Sequence, residues 1–324
     1  MRIYAKAVMA AALLAFAAQG AAGAADYPTR PIRVLVPYGA GGPSDTGARL
    51  VAEPLSRQLG QPVVIENQGG AGGLIATEAY TRDSKQDGYT ILLGAIGPFA
   101  ILPHAKHVSY DVEKDFVPLG LVYESPLTLA ISPKLGIKSL KEFVAYCKAH
   151  PGKVTFGSAG VGAVTDLAIE LFKHEAQVNV IHVPFRTSNQ ATPALMGGQI
   201  DAMFASTPSI APQIRAGQVV GIAVAGTKRQ ATIPKVPTMA EGGLPGVVAS
   251  SWFGFNVSSK VPAPIIKRLQ SAMTAAQKDP AYLSILAKQG ASYGEAGVEP
   301  YAELIRSDYK KWGAIIKEAG IKLE

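Results

Sequence analysis

Cysteine is almost absent from these 324 residues: Cys147 stands alone, so the chain carries no internal disulfide. Its setting, a helical pattern over Ser139–His150, reads as a small buried side chain. The five histidines form no metal pattern; His104 and His107 are three apart, and no further ligand stands at useful spacing. Long apolar runs are missing after Ala25, because the 34 Gly and 23 Pro interrupt every one of them. A membrane helix needs roughly 20 apolar residues, so the mature chain reads as soluble. Basic residues are scattered, without interleaved aromatics, which excludes a nucleic-acid partner. The nucleotide-binding spacing G-x-G-x-x-G is lacking as well. Nothing calls for a cofactor or a metal, and no internal repeat or low-complexity tract interrupts the mature chain.

Several signals are present. Residues 1–25 read as an export signal: Arg2 and Lys6 lead, an apolar stretch follows, and Ala21-Ala22-Gly23-Ala24-Ala25 suits cleavage. No cysteine lies near that point to carry a lipid anchor. The formal charge of +7 includes +2 from the leader, and the remainder mildly favours an anionic ligand.

Apolar runs rich in Val and Ile then alternate with helical patterns. Ile32–Val36, Val63–Glu66, Thr90–Leu93, Leu119–Tyr123, Leu127–Ile131, Val154–Phe156, Val180–Val183, Ala202–Phe204 and Val219–Ala225 read as strands. Helix-length patterns include Ala48–Gln58, Leu74–Ser84, Leu140–Ala149 and Asp166–Glu175. Continuous rather than alternating apolar strands indicate sheets covered on both faces, which is α/β architecture. The rhythm breaks near Glu124 and again before Ser250. A chain that leaves one domain and later re-enters it explains both breaks. The expected layout is residues 26–124 plus 250–324 as one lobe and 125–249 as the other, with a cleft between.

Two glycine loops follow strands and precede helices. They are Pro37-Tyr38-Gly39-Ala40-Gly41-Gly42-Pro43-Ser44-Asp45 and Gly157-Ser158-Ala159-Gly160-Val161-Gly162. A helix start leaves backbone N–H groups without partners, and the helix dipole adds positive potential, so each loop can cradle an anion. Glu66-Asn67-Gln68-Gly69-Gly70-Ala71-Gly72-Gly73, Asp87-Gly88-Tyr89-Thr90, His182-Val183-Pro184-Phe185 and Gly197-Gly198-Gln199-Ile200-Asp201 follow in a fixed order. With these marks the whole mature chain resembles the periplasmic solute-binding proteins of tripartite tricarboxylate transporters, the Bug/TctC group. The resemblance implies a two-lobed periplasmic binding protein, a Venus flytrap that closes on one organic anion. It implies that loops after strands one and six grip a carboxylate, partly through ordered water.

The ligand-binding residues expected are Tyr38, Gly41, Gly42, Ser44, Asp45, Ile96, Ser158, Gly160, Ala163, Thr165, Asp166 and Arg186. Three departures from the family pattern bear on ligand choice. Ala163 and Asp166 stand where the family often has Ser and His, Arg186 replaces a lysine, and Ile96 with Phe99 makes an apolar third loop. These point to an aromatic or apolar acid. Arg186 offers paired donors that match a carboxylate. Asp45 reads equally as a helix-start cap and as a pocket residue. Asp166 is expected to face outward or to pair with Arg186, and His182 to be structural.

The expected function is capture of a small organic acid in the periplasm, by a monomer, for delivery to the permease subunits of such a transporter. A sensor protein engaging a sensor kinase is the alternative. A periplasmic serine esterase using Gly290-Ala291-Ser292-Tyr293-Gly294 is a reading of another class. It lacks the strand that a nucleophile elbow needs before its serine, and Gly290 looks like a helix stop.

Overall fold

In a computed structural model, residues 27–83 and 85–318 are described, and the expected export signal lies outside them. The chain opens with β1 (Ile32–Val36), α1 (Pro43–Leu59), β2 (Val63–Asn67), α2 (Leu74–Arg82) and β3 (Thr90–Ala95). β1 pairs in parallel with both β2 and β3, as strand–helix–strand crossovers require. Pro43 starts α1 and Gly60 stops it in the left-handed conformation, φ 72°. α1 therefore begins five residues before the apolar pattern at Ala48 signals it.

β4 (Phe116–Ile131) is one continuous strand of 16 residues. Sequence divides it in two, because Glu124-Ser125-Pro126 looks like a break. The two halves instead serve different partners. Bulges bend the first half against β9 (Ser250–Ser258), and Pro126 falls where that pairing ends. The "strand six" loop accordingly follows the fifth strand.

The middle of the chain runs α3 (Leu140–Ala149), β5 (Thr155–Ser158), α4 (Val164–Ala176), β6 (Ile181–Pro184), α5 (Ser188–Gly197), β7 (Ala202–Ser206), α6 (Thr207–Arg215) and β8 (Val220–Val224). Its strands pair as β8-β4-β7-β5-β6, the second half of β4 lying between β8 and β7. The first sheet has the order β2-β1-β3-β9-β4. Two α/β lobes therefore share β4, and β9 returns the chain to the first. Phe143, Phe156, Phe172 and Phe204 pack the second lobe's core at ring separations of 5.5–6.3 Å. Cys147 is buried on α3, as expected.

After β9 come α7 (Ala263–Gln277), α8 (Pro280–Gln289) and α9 (Val298–Glu318). α9 lies over the crossing strands, where buried Trp252 donates its Nε1–H to Asp308 of α9 at 2.7 Å. Gly290 ends α8 in the left-handed conformation, and Ser292 beyond it pairs through its backbone with Glu124. That places Ser292 on a bridge rather than on a strand-to-helix elbow. Among the described residues no helix is long and apolar enough to cross a membrane, and no cluster of three or more His, Cys, Asp and Glu could hold a metal ion.

Candidate functional site

The carboxyl ends of β1, β3, β5 and β7 converge on the cleft between the lobes. They enclose a cavity of ≈ 520 Å³, its mouth included. From the first lobe Tyr38, Gly42, Ser44, Ile96 and Phe253 line it. From the second come Ala163, Val164, Thr165, Arg186, Ser188 and Ser206. A larger, more open groove of ≈ 1080 Å³ lies beside it, bounded by Gly41, Asn189, Pro193 and Gln213. The smaller cavity is the better ligand site, because helix starts from both lobes open into it.

α1 and α4 both begin without a side-chain cap, at Gly42 and Ala163. By contrast α3 and α8 are capped by Ser139 and Asp279. In α1 the first intrahelical donor is Thr46, bonded to Gly42 O at 2.9 Å, and Pro43 has no N–H. Ser44 and Asp45 are left with N–H groups to give. In α4 Asp166 and Leu167 both donate to Ala163 O, at 3.0 and 3.1 Å, leaving those of Val164 and Thr165. Ser44, Val164 and Thr165 are cavity-lining residues. Uncapped starts leave these donors available to an anion.

Two carboxylates hold the loops in shape. Asp45 accepts the Gly41 N–H at 2.9 Å, and Asp166 accepts the Gly162 N–H at 2.9 Å. Each aspartate thus reaches back four residues to close its own turn. Burial alone would raise Asp45, but the Arg49 guanidinium, the Gly41 N–H and Asn67 outweigh it and hold the carboxyl below the usual range. Burial dominates at Asp166 and pushes it up, against the Gly162 N–H and His182.

Asp166 neither faces outward nor pairs with Arg186, as the sequence had suggested. Asp166 is 3% exposed, and its partner is His182 Nδ1 at 3.1 Å. β6 runs beside β5, which brings His182 over the loop. Its Nε2 lies 2.6 Å from Ser158 Oγ.

The expected residues therefore fall into two sets. Tyr38, Gly42, Ser44, Ile96, Ala163, Thr165 and Arg186 line the cavity; Gly41, Asp45, Ser158, Gly160 and Asp166 stand behind it and shape the loops. Tyr38 donates its hydroxyl to Gly72 O at 3.0 Å. Thr165 Oγ1 accepts the Ala159 N–H at 2.9 Å. Phe99 turns instead into the core, its ring 4.9 Å from that of Phe116. Leu127, Phe253, Ser206, Ser251 and Ser188 line the cavity unannounced, since elements from distant stretches of the chain bring them there. Among the described lining residues Arg186 carries the one formal charge, and no carboxylate faces the space. An anion with an apolar body fits this lining, which sets the donors of the helix starts beside the apolar side chains of Ile96, Leu127, Val164 and Phe253.

The lobes touch closely around the cavity. Asn189 Nδ2 of α5 donates to Gly41 O across the cleft. A Cβ placed on Gly39 would fall 2.9 Å from Thr187 Cγ2, and one on Gly97 3.0 Å from Gly162 O.

Residues 47–321 match the family model described as tripartite tricarboxylate transporter family receptor. Protein BugT of Bordetella pertussis is 36% identical over 300 residues, 92% of each chain. An R. palustris protein solved with adipate is 29% identical with a TM-score of 0.86, covering 92% of this chain and 99% of its own. MatC from Rhodopseudomonas palustris, solved with bound malate, is 31% identical with a TM-score of 0.85, covering 90% and 100%.

Proposed function

Because the chain belongs to the tripartite tricarboxylate transporter receptor family, we propose that it captures one small organic acid in the periplasm and presents it to the permease of such a transporter. The observation that carries this reading is the pair of uncapped helix starts, Gly42–Asp45 and Ala163–Thr165, meeting across one cavity without a facing carboxylate. The carboxylate docks on the Ser44 end first. Closure of the second lobe then adds the N–H groups of Val164 and Thr165 and the Arg186 guanidinium. We assign the described residues of 26–124 with 250–324 to the first lobe and 125–249 to the second, hinged where Glu124–Pro126 pair with Ser250–Trp252. Binding alone accounts for the site: among the described lining residues none forms a nucleophile and base pair facing the cavity.

Relatives solved with adipate and malate make aliphatic dicarboxylates natural first probes, and the apolar middle of this cavity adds benzoate-like acids. A ligand at a hundred times its Kd stabilises a protein by about 2.7 kcal/mol, enough to read as a melting shift. At least one of these acids is expected to give it. If no acid did and an uncharged compound did, the carboxylate clamp would be wrong. Arg186→Ala is expected to weaken binding by roughly 1.5–3 kcal/mol, the range for a hydrogen bond to a charged group. An unchanged Kd by calorimetry would place that side chain in solvent.

A further inference from the structure

We propose that the Asp166–His182 pair takes up a proton when the cleft captures its anion, which makes His182 a positioning residue of the second cradle and couples affinity to pH. This rests on the carboxylate reading above and adds to it. In both cradles an aspartate closes the loop four residues back, and the two differ in what that aspartate is paired with. In the first, the aspartate that closes the loop is paired with Arg49 at 3.0 Å, a side chain that stays charged, so the pair is neutral. In the second, Asp166 is paired with His182, whose charge is variable.

The contacts of His182 suit a neutral ring and a protonated one alike, and only the neutral ring leaves a charge on the pair. A carboxylate only accepts, so His182 Nδ1 carries a hydrogen toward Asp166 Oδ1. In a neutral ring Nε2 then accepts, and Ser158 donates its hydroxyl at 2.6 Å. The Gly160 N–H in turn donates to Ser158 Oγ at 3.0 Å. The pair then carries a net charge of −1 behind the loop that must receive an anion. One added proton removes that charge, whichever partner holds it. The contacts survive the change, because Ser158 Oγ has a second lone pair to accept from Nε2–H.

Other charges around the ring are fixed or cancelled. Glu170 and Lys173 on α4 pair with each other at 2.8 Å. Arg186, beyond β6, remains cationic. Asp201, ahead of β7, accepts from the N–H and hydroxyl of Thr155 at the far end of β5. The proton-dependent charge beside the second cradle therefore belongs to Asp166 and His182.

Ser158, His182 and Asp166 also stand in the order of a serine-hydrolase relay, and geometry argues against that use. Ser158 is 0% exposed and its Oγ already accepts from Gly160. The Ala159 N–H, which would serve an oxyanion, is taken by Thr165. The relay holds the loop rather than attacking a substrate.

Linkage sets the sign: an anion in the cleft favours the protonated pair, so protonation favours the anion equally. Affinity is greatest at the acid end and declines as pH rises. Calorimetry with adipate, malate and benzoate at about pH 6 and about pH 8, the window in which histidine changes charge, reads this directly. The acid that binds is expected to do so roughly three- to tenfold more tightly at the lower pH. Heats in two buffers of different ionisation enthalpy should show net proton uptake. His182→Gln, with its fold checked by melting, should bring the two Kd values within about twofold of each other. A Kd flat with pH and no proton uptake in the unaltered protein would overturn the proposal while leaving the carboxylate reading intact. An unchanged pH slope in His182→Gln would also overturn it. If none of the three acids bound at either pH and an uncharged compound did, both readings would be overturned.

Discussion

Gly72→Ala is expected to lower ligand affinity at least about a hundredfold, the equivalent of roughly 2.7 kcal/mol, while the protein stays folded. Gly72 belongs to the first lobe, in the turn after β2, and holds φ +64°. A Cβ there would lie 2.6 Å from Val161 O, 3.1 Å from Gly162 C and 3.3 Å from Ala163 N. All three are backbone atoms of the second cradle, so no side chain can swing aside. The lobes would have to stand apart, which withdraws the N–H groups of Val164 and Thr165 from the ligand. Left-handed strain adds about 1–2 kcal/mol to the stability cost in any state. Gly60→Ala separates the two effects: it has φ +72° and nothing within 4 Å of the added Cβ. It should lose stability alone, with Kd unchanged. Native affinity in Gly72→Ala, measured by calorimetry, would show that this close approach plays no part in capture.

The largest loss of stability is expected from Trp252→Ala. Trp252 is fully buried on β9, beside Tyr301 of α9 at a ring separation of 5.8 Å. Replacing a buried aromatic by alanine costs about 3–5 kcal/mol. The loss also strips Asp308 of its 2.7 Å donor, and burial already pushes that carboxyl above its usual range. An acid whose folded-state pKa is raised favours folding below its unfolded pKa, and that contribution fades as pH rises through the folded value. The Trp252→Ala defect should therefore deepen from acid toward neutral pH. Urea unfolding followed at several pH values checks both statements; an unfolding free energy within about 1 kcal/mol of the parent would show that α9 does not brace the crossing strands.

Much of the first cradle was legible because its parts are local. An apolar strand, a glycine turn, Pro43 and Asp45 lie within a few residues, and each has a backbone reason for its place. The second cradle was half legible. Its turn and helix start read in the same way, but the partner of Asp166 comes from β6, and no local pattern sets that register. Phe253, Leu127 and Ser206 meet at the cavity because β9 and β4 pass it and β7 ends there, a fact of sheet order rather than of spacing. The continuity of β4 was hidden by Pro126, which reads as a strand breaker until its place at the end of the β9 pairing is known. Gly72 read as part of a motif, yet its tightest neighbour belongs to the other lobe.

In the proposed complex one carboxylate bridges the two helix starts. A crystal structure with the acid that most raises the melting temperature tests it most directly. The expected result is a carboxylate within hydrogen-bond distance of the Ser44 N–H and of the Val164 or Thr165 N–H, its body against Ile96 and Phe253. An acid seated instead in the outer groove between Gly41 and Gln213, with both helix starts facing water, would contradict it.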